Sequence, residues 1–350
     1  MIAHNRPHIL ACDRAAVDAV LGSGWIAQGP AVGRLEQVFV RHLGGGEAVA
    51  LSSGTAALFV ALEALGAGAG ATVALPSYSC SALLNAVFMT GATPQIVDVR
   101  GDNFCLDAQI IRRQAADAGF IVAVHAFGAH ADVEGLIAAD QVVIEDCCQS
   151  LGGSTGSVTL GSRGAAAVFS FYATKVVTAG QGGLVWSRSA AVADRVRNYR
   201  QADGREHYEP RFNLQMTDIQ AALAVSQMSR LEAIRERRAA IAGAYLGALP
   251  HGLVAQAGIA APGRMVQRFV VVAPDAARRD ALRAHMTAAG VGCIVPVERF
   301  ELLHRYLELD PGEYPVAERL ADTTLSLPMH LGLSDADVAT VCAVLQGFRP

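Results

Sequence analysis

Aromatic residues are scarce in this chain, 6% of 350 residues with only two tryptophans, and charge is scarce too, at 17%. A core with so few rings must be aliphatic and alanine-filled, and the 52% hydrophobic content can supply one. No lysine or arginine cluster is long enough to follow a phosphate backbone. With a net charge of −4, this argues against a nucleic-acid partner. The one dense stretch, Arg235 to Arg238, lies on an expected helix. No uncharged apolar run approaches the length needed to cross a membrane. The start, Met1-Ile2-Ala3-His4-Asn5-Arg6-Pro7, has no continuous apolar stretch after a basic end, so no signal peptide is expected. Seven cysteines, odd in number and irregular in spacing, suit free thiols in a reducing cytoplasm better than a disulfide framework. Cys147 and Cys148 are adjacent, which suits neither a bridge nor a CxxC metal clasp, and no metal site is expected. Five of the seven read as small buried hydrophobes; Cys80 and Cys147 lie close to candidate site residues.

At this length the chain holds a sizeable core and roughly two domains. Two helical stretches come first, Cys12 to Leu21 and Ala31 to Leu43, separated by the glycine- and proline-punctuated loop Gly22 to Pro30. Short apolar runs then alternate with helix-like segments. The runs are Val49 to Leu51, Thr72 to Leu75, Gln95 to Val99, Phe120 to Val124, Val142 to Glu145, Ala166 to Phe171 and Leu184 to Trp186. Between them lie helical segments such as Ala56 to Leu65 and Ser81 to Thr90. The alternation predicts an α/β fold with a largely parallel, buried sheet of about seven strands, and ligands at the strand carboxyl ends. One long helix is expected from Thr217 to about Leu246, started by Thr217-Asp218-Ile219-Gln220. The expected boundary divides residues 1–245, the large domain, from 246–350, a smaller α+β domain. The smaller domain has expected strands at Phe269 to Val272, Cys293 to Val295 and Thr324 to Leu327, and helices near Ala276 to Ala289 and Ser334 to Gly347.

Three motifs carry chemistry. In Leu51-Ser52-Ser53-Gly54-Thr55-Ala56 a strand ends in small residues and a helix begins, so a hydroxyl caps the helix and its free amides form an anion site. A plain N-cap accounts for the same residues. In Val142 to Ser150 an apolar strand leads to Asp146 and, three residues on, Gln149. An aspartate can keep a pyridine nitrogen protonated, and the glutamine amide can donate to a phenolate oxygen. A polar strand-end turn is the other reading. In Phe169 to Lys175, followed by Gly180-Gln181-Gly182-Gly183, a lysine lies at a strand end beside a hydroxyl and a glycine turn. Such a lysine can hold an aldehyde cofactor as a Schiff base and then move protons once freed. Ser170 shares its pocket if the intervening chain turns, and could then bind phosphate. A simple hairpin explains the glycines equally well.

Together these residues resemble the DegT/DnrJ/EryC1/StrS sugar aminotransferases, of the aspartate aminotransferase fold (fold type I). The resemblance spans nearly the whole chain. It includes Gly24 to Pro30, Ser53 to Leu58, His125-Ala126-Phe127-Gly128, Ile144 to Gln149, Ser170 to Lys175, Phe212 to Leu223, Tyr314 to Arg319 and Leu325 to Pro328. It implies a three-layer, pyridoxal-phosphate-dependent transferase fold with a mixed, mostly parallel seven-stranded sheet. It further implies that Gly54, Thr55 and Ser170 hold the cofactor phosphate, Asp146 pairs with the pyridine nitrogen, Gln149 supports the ring and Lys175 forms the Schiff base. An asparagine matching Asn213 would reach the phosphate of a neighbouring subunit's cofactor, which makes the active unit a homodimer with shared sites. The expected reaction moves an amino group from an amino acid such as glutamate to a keto sugar, nucleotide-linked, with pyridoxamine phosphate as the intermediate form. A sugar dehydratase of the same family and a non-catalytic regulatory homologue are the rival readings. The relatives that dehydrate carry histidine where this chain has Lys175.

Some positions depart from the pattern. Cys80 stands where many relatives place an aromatic that stacks on the cofactor, and Tyr78 would share its side only on an extended stretch. Gln181 replaces a common glutamate and Gln215 a common arginine. His125 and His130 read as structural or loop histidines, and His207 lies with Asp203, Arg205 and Tyr208 near where the family recognises substrate.

Overall fold

A computed structural model of the chain describes residues 1–138, 141–204 and 206–349. Twelve strands occur among them: β1 Glu47–Leu51, β2 Thr72–Pro76, β3 Thr93–Val97, β4 Phe120–Val124, β5 Val142–Asp146, β6 Ser154–Thr155, β7 Val158–Thr159, β8 Ala166–Ser170, β9 Gly183–Ser187, β10 Val254–Ala255, β11 Phe269–Val272 and β12 Thr324–Leu327. Seven of them form one sheet in the order β1-β9-β8-β5-β4-β2-β3. Six run the same way, and β9 runs against both of its neighbours. Each of the seven runs expected in the large domain supplies one of these strands.

The sheet is covered on both faces, which is why its strands read as unbroken apolar runs. Successive side chains still divide between the faces. Ala166, Val168 and Val185 join one core, with the helices Gly54–Leu65 and Ala82–Thr90. Ala167, Phe169, Leu184 and Trp186 join the other, with Pro30–His42 and Asp218–Met228. On the second face Phe39 meets Phe169 and Phe171 edge-on at 5.0 and 5.7 Å. The result is the expected three-layer α/β arrangement.

Beyond Ala248 the chain builds a separate cluster around the antiparallel sheet β10-β11-β12, to which Ile241, Ala242 and Tyr245 of the preceding helix contribute. Two expectations fail here. The single helix from Thr217 to Leu246 is two, Asp218–Met228 and Leu231–Ala248. They part at Ser229 and Arg230, where the Arg230 guanidinium is held by both oxygens of the buried Asp13 (2.9 and 2.6 Å). A long-range ion pair therefore sets the break, which helix periodicity cannot show. Cys293 to Val295 is not a strand; Ile294 alone makes an isolated bridge to Ser326.

Asp218, buried at the start of its helix, also governs the loop before Pro30. Its carboxylate accepts the amides of Gly29, Ala31 and Val32, each at 2.9 Å, so one acid completes the first turn of the helix Pro30–His42. Replacing it strands three amides. D218A should lower unfolding stability by about 3 kcal/mol in urea titration; a loss below about 0.5 kcal/mol would show that these amides find other acceptors.

Candidate active site

Because β2, β4, β5 and β8 are parallel, the turns at their carboxyl ends gather at one edge of the sheet. Ser53, Gly54, Thr55, Cys80, Asp146, Gln149, Ser170, Lys175 and Gln181 line one cleft there. Leu58, Ala82, Leu83, Cys148, Val168 and Tyr172 complete it. Sequence reasoning missed these six as site residues, although Leu58 shares a helix face with Gly54 and Cys148 lies in the turn that Asp146 opens.

The anion end is built by the helix Gly54–Leu65. Ser53 caps it, its Oγ accepting the Ala56 amide at 3.1 Å and its carbonyl that of Ala57 at 3.0 Å. The Gly54 and Thr55 amides are left free to hold a phosphate at the positive end of the helix. A Cβ on Gly54 would stand 2.8 Å from the Ser170 Cβ, so only glycine lets β8 end against this turn. Gly183 is equally constrained, since a Cβ there would overlap the Ser53 carbonyl.

At the other end, Asp146 closes β5. One of its oxygens accepts the Cys148 amide at 2.9 Å, and the other accepts no backbone amide among the described residues. The Cys148 thiol beside it is pushed well above the usual thiol range by burial and then by this carboxylate. Gln149 Oε1 accepts the Phe127 amide at 2.7 Å. A backbone N–H only donates, so this contact fixes the side-chain oxygen and leaves Nε2 free as a donor. Phe127 sits at φ 55°, in the turn Ala126–Gly128 after β4.

The chain after β8 turns as the expectation required. Tyr172 N donates to Ser170 Oγ (3.3 Å) and Lys175 N to the Tyr172 carbonyl (2.9 Å), which brings Ser170 and half-buried Lys175 into one cleft. Gly180 and Gly182 take φ of +76° and +138°, values that favour glycine. Lys175 is also the only lysine in the chain, the other 27 of its 28 basic residues being arginine. Counting the two together conceals this, and it is the strongest compositional sign of a special role.

Cys80 is exposed at the cleft mouth. Tyr78 is not beside it; it is buried and its hydroxyl pairs with Thr324 at 2.7 Å. Asn213 does not line its own chain's cleft. It is exposed, while the next carbonyl, Leu214, accepts the Ser52 amide at 2.8 Å beside the start of the helix Gly54–Leu65. Gln215 is half-buried outside the cleft. His207, Asp203 and Tyr208 are exposed, and Arg205 lies outside the described residues.

His125, Glu145 and Cys147 converge closely enough to suggest a metal site, but the carboxylate is already saturated. Glu145 Oε1 accepts the amides of Arg163 (2.8 Å) and Gly164 (2.7 Å), and Oε2 accepts Gly161 N (2.9 Å) and His125 Nε2 (3.1 Å). The Ala131 amide donates to His125 Nδ1 at 3.1 Å, which puts the ring hydrogen on Nε2, facing Glu145. This network clamps β4, β5 and the loop before β8, and so sets the height of Asp146. His130 pairs with the Thr155 hydroxyl at 2.8 Å in a loop.

The sequence profile of the DegT/DnrJ/EryC1/StrS aminotransferase family matches residues 7–346. The chain belongs to this family. Among solved structures it is similar to the aminotransferase TlmJ from Streptoalloteichus hindustanus, at 29% identity and TM-score 0.90, over 99% of this chain and 98% of that one. DesV from S. venezuelae is 30% identical, with TM-score 0.88 over 96% and 93% of the two chains. Spr1654 from Streptococcus pneumoniae, solved in a PLP form, shares the fold at 24% identity and TM-score 0.91, over 99% and 98%. The protein is thus a pyridoxal-phosphate-dependent aminotransferase. The free amides, the open Asp146 oxygen and the free Gln149 Nε2 fit that cofactor.

Glu145 supplies the test of the framework. Burial pushes its pKa up, but the His125 hydrogen bond, with the amides, outweighs that and holds it below its ordinary value of 4.5. A depressed carboxylate stabilises the fold above its unfolded pKa and loses that contribution as pH falls through the folded one. E145Q should be less stable than wild type by about 3 kcal/mol at neutral pH, and the gap should shrink in urea titrations run at about pH 3. A gap independent of pH would contradict the assignment.

Proposed function

We propose that this aminotransferase moves the amino group of an amino acid, glutamate in the first instance, to the carbonyl of a keto sugar carried on a nucleotide. The observation that carries this reading is the placement of the sole lysine in one cleft with an acid, an amide donor and a helix-start anion site. Bound pyridoxal phosphate supplies the carbonyl that accepts the amino group and a ring that delocalises the electrons of the deprotonated carbon. The Gly54 and Thr55 amides and Ser170 bind the phosphate. Asp146 keeps a proton on the ring nitrogen, and Gln149 Nε2 donates to the ring's phenolate oxygen. Lys175 anchors the cofactor and, once displaced, carries the proton to and from the reacting carbon through Nζ. Leu58, Leu83 and Val168 give the cleft an apolar lining.

The active unit in this reading is a homodimer in which Asn213 reaches the partner's cofactor phosphate. Its exposure beside its own phosphate turn, outside its own cleft, supports this. Seven thiols, none in a disulfide, fit a reducing compartment such as the cytoplasm. No helix among the described residues is long and apolar enough to cross a membrane.

A screen of amino donors, followed by keto-sugar acceptors presented to the pyridoxamine form, tests the reading through loss and return of the cofactor's yellow colour. L-glutamate should bleach the enzyme and a nucleotide-linked keto sugar should restore the colour. D146N should retain cofactor yet slow both phases by about 10²-fold or more. Colour restored only by small keto acids would exclude the sugar acceptor.

A further inference from the structure

The peptide that joins Thr174 to Lys175 is held at both of its poles. Its N–H, that of Lys175, donates to the Tyr172 carbonyl at 2.9 Å. Its carbonyl, that of Thr174, accepts two side-chain amides, Asn5 Nδ2 at 3.3 Å and Gln267 Nε2 at 3.4 Å. A carbonyl oxygen only accepts and has two lone pairs, so each side chain must present its nitrogen here, and together they use both. The plane of this peptide sets the direction in which the Lys175 side chain leaves the backbone. A flexible lysine stem reaches one place in the cleft reproducibly only if its root is fixed.

Asn5 comes from the far end of the chain, and the residues before it are anchored before it arrives. Ile2 N donates to Gly290 O at 2.8 Å and Gly292 N to Ile2 O at 2.9 Å, which makes a parallel bridge to Val291. His330 Nε2 donates to the Ala3 carbonyl at 3.1 Å and Met329 N to the His4 carbonyl at 3.3 Å, while His4 Nε2 pairs with Ser326 Oγ at 2.9 Å. Residues 2–4 therefore lie along the unit built around β10-β11-β12, and Gln267 stands just before β11 in the same unit. Gln267 N also donates at 3.3 Å to the carbonyl of Phe127, the residue whose amide fixes Gln149. Both donors to Thr174 thus rest on the C-terminal unit, whereas the carbonyl they hold belongs to the loop after β8.

We propose that Asn5 is a positioning residue for Lys175, which with Gln267 locks the Thr174–Lys175 peptide so that Nζ meets the cofactor in one orientation. This rests on the reading of Lys175 as the cofactor anchor and deepens it by naming what aims the lysine. Because the chain has a single lysine, protein made with 15N-labelled lysine gives one backbone amide signal, that of this peptide. The test compares wild type, N5A, the isosteric N5D, whose carboxylate cannot donate, and N5A/Q267A. Hydrogen exchange of the single amide is measured in the intact chain before cofactor is added. It should be about 10-fold faster in N5A and N5D and about 10²-fold faster in N5A/Q267A. Added pyridoxal phosphate should then form the yellow Schiff-base band about 10-fold more slowly in N5A and N5D. With L-glutamate their maximal bleaching rate should fall by a similar factor and the half-saturating concentration should stay that of wild type. Faster exchange without slower band formation, slower band formation without faster exchange, or an N5D that behaves as wild type would each overturn the proposal. Should N5A fail to fold, N5D carries the same comparison. If wild type formed no Schiff base at Lys175, the anchor reading would fall first and the proposal with it; a wild-type Schiff base with unaltered variants sinks the proposal alone.

Discussion

The parallel run of β2, β4, β5 and β8 constrains everything else in this molecule. Parallel neighbours send their carboxyl ends to one edge, so the segments that follow them must turn within a few ångströms of one another. Cys80, Phe127, Asp146 and Ser170 all sit on those turns. The strand of the main sheet that runs against its neighbours, β9, lets the chain return directly after Lys175 through a glycine turn. That return puts Gly183 against Ser53 and brings the lysine into one cleft with Gly54 and Thr55.

Two adjacent acids at the end of β5 show how the framework and the chemistry are separated. Glu145 is saturated by three amides and a histidine, and it stabilises the junction of three segments. Asp146, one residue on and on the opposite face, spends one oxygen on the Cys148 amide and lines the cleft. Alternation along the strand assigns these roles, since the inward acid can be enclosed only if the outward one is left facing the cleft. Gln149 extends the arrangement by committing its oxygen to Phe127, which leaves its amide nitrogen to face the cleft as a donor.

Much of this was legible in the sequence. The seven apolar runs are the seven strands of the main sheet, because strands buried on both faces leave unbroken apolar runs. The cap at Ser53, the presence of Asp146 and Gln149 in one cleft and the turn from Ser170 to Lys175 follow local rules, and they stand where those rules place them. The failures are long-range. Asp13, more than two hundred residues away, holds Arg230 where the helix breaks, and the ring of Tyr78 is drawn off to Thr324. The singular lysine was legible all along, hidden by counting it with 27 arginines.

The central claim is that Lys175 carries the cofactor, and borohydride reduction of the pyridoxal-phosphate-loaded protein followed by peptide mapping tests it most directly. The account predicts one modified peptide, containing Lys175, and no fixation in K175R. Cofactor that binds without being fixed by borohydride, or that is fixed instead to the terminal amine, would contradict it.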